Sequence, residues 1–480
     1  MENIDIQTQT EVEIMKVLML LYLLSFSGVR NPAVSNMFYP GDPVVLRDSV
    51  SRLLEAAPEI EVPGHIIGLI APHAGYRYSG PVAATSFKQV YGKHYDLVVI
   101  LGVAHRYPLR TVSVAPFAAY RTPLGTIPID TAIARRLIEA GVADSVRAAH
   151  LQEHSIEVEL PFLQVALKGK FKILPIIVGY MGDICRYRDF ARGLAKALRG
   201  RNYLIVMSTD LSHYHDLVTC ERIDKATIDA IASMDPVELY QGYFQKKYEL
   251  CGIFPVTAGL FLAHEVGASG IKFLKYGNSA AATGDSSRVV GYSAFAIYRN
   301  ELLNESEKQF LLRVAREAIE AHLEGRKLPE YKVTDPRLLE HRGVFVTITE
   351  NGMLRGCIGR HVSNEPLWRT VQEMAVAAAF EDPRFRPLSA DELKKIKIAI
   401  SVYTMGPRPI KSYRDYIPGL HGIILEKDGH HATYLPEVPI EQCWTREETL
   451  SHLAVKAGLP PDAWKHGASF MVYTTFKFSE

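Results

Sequence analysis

The sequence predicts two domains, an α/β domain followed by a smaller α+β domain. The chain has 480 residues, of which 48% are hydrophobic, so it is longer than one domain usually runs. Apolar, β-rich runs alternate with helical patterns up to Tyr298. After residue 304 the pattern changes to helices interspersed with strands of alternating hydrophobicity.

The first domain contains apolar runs that predict strands near 65–70, 96–101, 172–178, 203–208, 271–275 and 289–298. Because helical patterns separate these runs, we expect a mostly parallel sheet with helices on both faces. A polar stretch follows the last run. We therefore divide the chain into an N-terminal extension (1–29), a first domain (30–298), a linker (299–304) and a second domain (305–480).

The second domain begins with an amphipathic helix, for which Ser306 and Gln309 have the spacing of a capping box. The run GVFVTITENGMLRGCIG predicts a hairpin whose Asn-Gly turn at 351–352 is typical of type I′. Thr445 and Glu448 predict a second capping box and a later helix. Helices and hairpins in this order indicate an α+β domain.

Composition narrows the classes of partner and compartment. The formal net charge is +1 and no basic cluster with interleaved aromatics occurs, so we expect neither nucleic acid nor firm membrane association. The sequence carries no nucleotide-binding glycine-rich loop, which argues against ATP and NAD. Five cysteines without a CxxC pair indicate a reducing, cytoplasmic compartment. The apolar run at 17–26 leaves export as a weaker alternative, because acidic residues precede it.

Two histidines each follow the end of a predicted strand, His73 in APHAGY and His105 in LGVAHRY. Carboxyl ends of strands open into the ligand crevice of an α/β sheet, so these imidazoles are expected to converge there. Cys251 is the best candidate for a third ligand, since thiolate and imidazole suit iron, copper or zinc. The alternatives are that the histidines are ordinary loop residues and that Cys251 is a small buried hydrophobe.

A third predicted strand ends in STDLSHYHD, which places Asp210 and His213 at the same edge. Asp210 can orient an imidazole or accept a proton, and His213 suits general acid–base catalysis. The alternative is that Asp210 caps the next helix. His154 precedes a predicted N-cap at Ser155 and is expected to lie beside the ligands or the substrate, whereas the acids that follow Ser155 are explained by the helix dipole.

In the second domain Arg355 and Cys357 lie between glycines in LRGCIG. The glycines indicate close approach of another backbone or a ligand. Cys357 is either a nucleophile assisted by Arg355 or, as is more usual for a strand cysteine, a packed side chain.

Residues 30–298 resemble the Memo (mediator of cell motility) family, through APHAGY, LGVAH, YRTPLG, EHSIEVELPF, STDLSHY and LCGIFP. The resemblance implies a fold similar to class III extradiol dioxygenases, with iron or copper held by His73, His105 and Cys251. It also implies that His213 takes the place of the dioxygenases' catalytic histidine. Arg106 stands where the animal Memo loop has a second histidine, and we assign Arg106 and Tyr76 to substrate binding.

Residues 305–480 resemble the AMMECR family, through GMLRGCIG, EDPRFRPLSADEL, HGIILE and ATYLPEVPIEQCW. That family has no settled activity. In prokaryotes the two families recur alongside a radical SAM protein, which the resemblance therefore implies as a partner.

Three functional hypotheses follow. The first is a mononuclear metal redox enzyme acting on a small molecule or peptide, in which His213 moves a proton. The second is a zinc hydrolase in which His213 or Asp210 serves as the base. The third is a non-catalytic module that binds a metal or a peptide.

Overall fold

The computed structural model describes residues 26–480, and the chain divides into two compact units between Arg299 and Asn300. Nearly all of the apolar run at 17–26 lies outside the described residues. Within the part of the chain that is described, no helix is long and apolar enough to cross a bilayer.

The strands of the first unit are β1 (Val29–Arg30), β2 (His65–Ala71), β3 (Leu97–Gly102), β4 (Val112–Val114), β5 (Ala119–Thr122), β6 (Gly125–Pro128), β7 (Lys172–Val178), β8 (Tyr203–Ser208), β9 (His213–His215), β10 (Gly270–Asn278) and β11 (Val289–Arg299). Its helices are α1 (Pro43–Ala56), α2 (Tyr76–Lys88), α3 (Thr131–Glu139), α4 (Arg147–Leu151), α5 (Leu160–Ala166), α6 (Ile184–Leu198), α7 (Leu217–Ala232), α8 (Pro236–Phe244), α9 (Ile253–Glu265) and α10 (Ala280–Thr283). The strands predicted from apolar runs are confirmed.

The main sheet has the strand order β10-β11-β2-β8-β3-β7-β4. The four central strands β2, β8, β3 and β7 are parallel, whereas β4, β10 and β11 join antiparallel. The expectation of a mostly parallel sheet is therefore correct for the centre and wrong for the edges. A short connection joins β10 to β11, and a connection of that length pairs strands antiparallel.

Helices cover both faces of this sheet. On one face Val98, Ile100 and Val206 share a core with α1, α2 and α5. On the other face Met207 packs on α9, where a Cβ at Gly259 would lie 2.1 Å from the methionine sulfur. Because β2, β8 and β3 are parallel neighbours in register, the loops that follow them open at one edge.

A buried ion pair between Arg30 and Glu157 fixes the N-terminal segment to this edge. The Arg30 Nε also donates to the His150 carbonyl at 3.2 Å. Glu157 accepts the backbone N–H groups of Ala33 and Val34 at 2.8 and 3.0 Å. The prediction that the helix dipole explains Glu157 is therefore wrong, since its carboxylate binds a segment that is distant in sequence.

The second unit consists of strands β12 (Val344–Glu350), β13 (Met353–Arg360), β14 (Ile396–Pro409), β15 (Gly422–Lys427), β16 (His430–Tyr434) and β17 (Ser469–Ser479), with helices α11 (Glu305–Leu323), α12 (Pro336–Leu339), α13 (Leu367–Phe380), α14 (Glu437–Gln442) and α15 (Arg446–Lys456). The sheet is antiparallel throughout, in the order β13-β12-β14-β17-β15-β16. One of its faces packs on α11 and α13 around the largest core of the unit.

Two of three local signals in the second unit predict the observed structure, and one does not. The turn between β12 and β13 has positive φ at both central residues, 52° at Asn351 and 80° at Gly352, which confirms type I′. The capping box of Thr445 with Glu448 at α15 is confirmed. The box predicted at Ser306 is wrong, because Asn304 caps α11 with Glu307 as its reciprocal partner.

We expect Glu157→Ala to lower the free energy of unfolding of the first unit by about 3–5 kcal/mol, because Arg30 would remain buried without its partner. Urea denaturation followed by far-ultraviolet circular dichroism measures the loss. Glu265→Ala is the control, since Glu265 pairs with the half-exposed Arg192 and its removal should cost about 0–1 kcal/mol. Equal losses in the two variants would show that the buried pair adds no stability.

Candidate metal centre

His73 lies in the loop after β2 and is buried. Its backbone N–H donates to Asp210 Oδ1 at 2.9 Å, so Asp210 ties the loop after β8 to the loop after β2. The alternative that Asp210 caps the next helix is wrong, since Asp216 caps α7. Burial raises the pKa of Asp210 to about 7, although the N–H groups that it accepts oppose the rise.

The two ring nitrogens of His73 face different partners. Nδ1 lies 2.7 Å from the hydroxyl of Ser208, the last residue of β8. Nε2 lies 3.3 Å from the sulfur of Cys251, which precedes α9. That sulfur also accepts the backbone N–H of Asp210 at 3.2 Å, and burial raises the pKa of the thiol. The structure thus brings His73, Asp210 and Cys251 together.

His105, in the loop after β3, is held twice by one buried carboxylate. Glu153 accepts the backbone N–H of His105 at 2.7 Å and its Nδ1 at 2.9 Å. Burial alone would raise the pKa of Glu153, but hydrogen bonds from His105 and the Ser155 backbone lower it to about 2. A carboxylate on Nδ1 fixes the ring and leaves Nε2 available, as is common for histidines that bind metals.

Three imidazoles meet at this edge. Ring centroids are 5.1 Å apart between His73 and His105, 5.4 Å between His73 and His154, and 4.7 Å between His105 and His154. Two sets of three potential ligand atoms lie within 4.8 Å of one another, namely His73 with His105 and His154, and His73 with Asp210 and Cys251. Within residues 26–480 no such set contains both His105 and Cys251. His73 is the residue that the two sets share.

His213 begins β9 at the same edge, and its Nδ1 lies 2.9 Å from the Leu211 carbonyl. A carbonyl only accepts, so Nδ1 carries the proton and Nε2 presents a lone pair. Burial lowers the pKa of His213. The ring is therefore a neutral proton acceptor near neutral pH.

The two candidates for substrate binding, Tyr76 and Arg106, have different surroundings. Tyr76 is buried in the core, where its hydroxyl donates to the Val158 carbonyl at 2.7 Å. The proton of that hydroxyl is therefore directed into the core. Arg106 is exposed in the loop after β3, next to His105.

Sequence reasoning missed three residues that support the cluster: Glu153, Glu159 and Ser208. Ser155 is not the predicted N-cap, since its hydroxyl binds the backbone of Val103 and α5 begins at Leu160. One signal in the sequence could have found the acids. EHSIEVELPF places three glutamates among apolar residues, and an acid that must face a core needs a partner.

The family model described as Memo-like protein matches residues 30–296, more than half of the chain. This chain belongs to the Memo-like protein family. A second family model, described as AMMECR1, matches residues 312–478, so a Memo domain is followed by an AMMECR1 domain.

Several relatives carry the name MEMO1 family protein. MK0963 of Methanopyrus kandleri is 34% identical over 281 residues, which cover 56% of this chain and 99% of the relative. MTH_45 of Methanothermobacter thermautotrophicus is 35% identical over 275 residues, with 55% and 99% covered. The protein of Aquifex aeolicus is 36% identical over 264 residues, with 55% and 97% covered. A crystal structure of an uncharacterized protein from Pyrococcus horikoshii shares 35% identity over 37% of this chain and 94% of that chain, with a TM-score of 0.36.

In the AMMECR1 domain the LRGCIG motif lies on β13, and its best-defined contacts are structural. Arg355 forms a two-pronged ion pair with Glu392, at 2.7 and 3.2 Å. A Cβ at Gly356 would lie 2.0 Å from the carbonyl of Ala378 on α13, so this glycine permits close packing of a helix. Burial raises the pKa of Cys357, whose sulfur lies 3.3 Å from the Thr347 hydroxyl. These contacts favour the interpretation of Cys357 as a packed side chain.

Asp382 holds this motif from outside the strand. It accepts the backbone N–H of Cys357 at 2.8 Å and the Arg384 guanidinium at 2.7 and 2.9 Å. Burial alone would raise the pKa of Asp382, but these donors lower it to about 2.

Because the pKa of Asp382 is lower in the folded state, its contribution is complete above the unfolded value and is lost as pH falls through about 4 to 2. We expect Asp382→Asn to cost on the order of 2 kcal/mol at pH 7 and almost nothing near pH 2. Tryptophan fluorescence during urea denaturation reads this domain selectively, since Trp368, Trp444 and Trp464 all lie within it. Asp391→Asn, at an exposed residue, is the control. A stability loss in Asp382→Asn that is the same at every pH would contradict the ion pair.

Proposed function

We propose that the Memo domain is a metal-dependent redox enzyme that holds iron or copper through His73, His105 and Cys251. The observation that carries the proposal is that both histidines have their Nδ1 engaged, by Ser208 and by Glu153, while Nε2 stays available. Histidines that bind metals almost always have the second ring nitrogen held by a hydrogen-bond partner, and this pattern at two adjacent imidazoles supports metal coordination.

The distance between two of the proposed donors, His73 and Cys251, fits a shared ion. Nitrogen and sulfur ligands of one tetrahedral ion, at metal distances of ~2.1 and ~2.3 Å, lie about 3.5 Å from each other. His73 Nε2 and Cys251 Sγ are 3.3 Å apart. His154 is an alternative donor, because it belongs to one of the two sets and its Nδ1, 3.4 Å from Glu153 Oε1, has no hydrogen-bond partner among the described residues. Imidazole and thiolate together suit iron and copper, and they also suit zinc.

Four residues of the domain have separate roles in the proposed enzyme. Cys251 gives up its thiol proton when the ion binds, so affinity rises with pH. Asp210 keeps the loops of His73 and Cys251 together through its carboxylate and its backbone N–H. His213 accepts a proton on Nε2, and the exposed Arg106 binds an anionic group of a small molecule or peptide. A bound iron or copper ion supplies one-electron chemistry toward oxygen, as in the class III extradiol dioxygenases that the motifs resemble.

The AMMECR1 domain serves in this proposal as a module that recruits a partner. A radical SAM protein remains the partner that the resemblance predicts. Arg355 and Cys357 contribute to the domain's packing rather than to a reaction.

Metal binding should depend on His73 above all, because both sets of donors contain it. We expect His73→Ala to abolish binding of Fe(II) and Cu(II) by metal-depleted protein, and Cys251→Ser to weaken it at least tenfold. Calorimetric titration and elemental analysis measure both. His94→Ala, which removes an exposed histidine bound to Asp96, should bind normally. If His154→Ala loses the ion while Cys251→Ser keeps it, three imidazoles and not the thiolate hold the metal.

Protein purified without oxygen should contain iron or copper and should consume oxygen with some members of a panel of small aromatic compounds and peptides. His213→Gln should keep its metal and lose roughly 10²–10⁴-fold in rate, because the proton acceptor is gone. Zinc at full occupancy without oxygen uptake would discard the redox proposal in favour of hydrolysis. Unchanged turnover in His213→Gln would remove that residue from the mechanism.

A further inference from the structure

The hydroxyl of Ser208 has three short contacts inside the Memo domain. Its oxygen lies 2.7 Å from His73 Nδ1, 2.7 Å from the Ser155 carbonyl and 2.7 Å from Glu159 Oε1. Ser208 and Glu159 are fully buried. No solvent proton therefore has ready access to any of these contacts.

Counting protons decides how these contacts are made. A serine hydroxyl has one hydrogen and can accept two more. The Ser155 carbonyl can only accept, so the Ser208 hydrogen points to it. The other two neighbours must then both donate to Ser208, which places a proton on His73 Nδ1 and another on Glu159 Oε1. In every other assignment, at least one of the three contacts would bring two lone pairs together at 2.7 Å, with no hydrogen between the two atoms.

We propose that Glu159 is a neutral carboxylic acid that, through Ser208, fixes His73 in the tautomer with its proton on Nδ1. Glu159 is thus a positioning residue for the metal ligand. The tautomer presents the lone pair of Nε2 toward Cys251, where an ion binds. Only this last consequence rests on the proposed function, since the protonation pattern belongs to the metal-free protein.

The surroundings of Glu159 agree with a neutral acid. Its Oε2 has no hydrogen-bond partner among the described residues, and an ionised oxygen in that position would be very costly. Burial raises the pKa of Glu159 well above its usual range, the contact with Ser208 opposes the rise, and the charge of Asp210 adds to it. Glu157, only two residues away and equally buried, differs because Arg30 pairs with it.

Infrared spectroscopy of the metal-free protein tests the proposal. Protein labelled with ¹³C at the glutamate side-chain carboxyl should show, at neutral pH, a shifted acid carbonyl band that disappears in Glu159→Gln. The label separates Glu159 from Asp210, the other buried acid of the site. Glu265→Gln is the control, and it should remove carboxylate absorption only. A labelled protein without an acid carbonyl band would overturn the proposal, and this result needs no variant to fold.

The tautomer has its own readout. Nitrogen NMR of metal-free protein, with His73 assigned through the loss of its signals in His73→Gln, should show a protonated Nδ1 and an unprotonated Nε2. The opposite tautomer would also overturn the proposal. Ser208→Ala should mix the tautomers and weaken metal binding roughly 10–100-fold. If the protein binds no metal at all while both spectra are as expected, the proposed function fails and the inference on Glu159 stands.

Discussion

Buried partners hold Nδ1 of two imidazoles in the Memo domain, and the proposed metal site depends on this arrangement. Ser208, at the end of β8, is the hydrogen-bond partner of Nδ1 of His73. Glu153, in the segment before α5, is the partner of Nδ1 of His105. Both partners are buried and come from other parts of the chain. The parallel centre of the sheet matters for function because it delivers these separate segments to one edge.

Three glutamates in one short segment are buried with three different sets of partners. Glu153 accepts N–H groups that lower its pKa, Glu157 pairs with the Arg30 guanidinium, and Glu159 has neither kind of partner. Glu157 and Glu159 both lie between apolar residues, so the difference in their surroundings comes from the distant partners that the fold supplies. A buried carboxyl group is therefore best understood from its complete set of donors.

The sequence predicted what depends on local pattern. Apolar runs located the strands, and the Asn-Gly pair specified the turn at 351–352. Strand ends located His73, His105 and Asp210, because the carboxyl edge of a parallel sheet is a consequence of chain direction. The sequence could not show which acid meets which base across 48 to 127 residues, as in the pairs of His105 with Glu153 and Arg30 with Glu157. Nor could it show that Tyr76 points its hydroxyl into the core rather than the crevice.

The Arg30–Glu157 anchor also has a kinetic consequence. The N–H groups of Ala33 and Val34 end on a carboxylate that is itself buried, and Phe38 in the same segment lies with its ring 4.8 Å from His154. We expect the amide hydrogens of Ala33 and Val34 to exchange with solvent only when a larger cooperative part of the domain opens, because their acceptor is buried and paired with Arg30. One wall of the crevice therefore keeps its shape for as long as the domain stays folded.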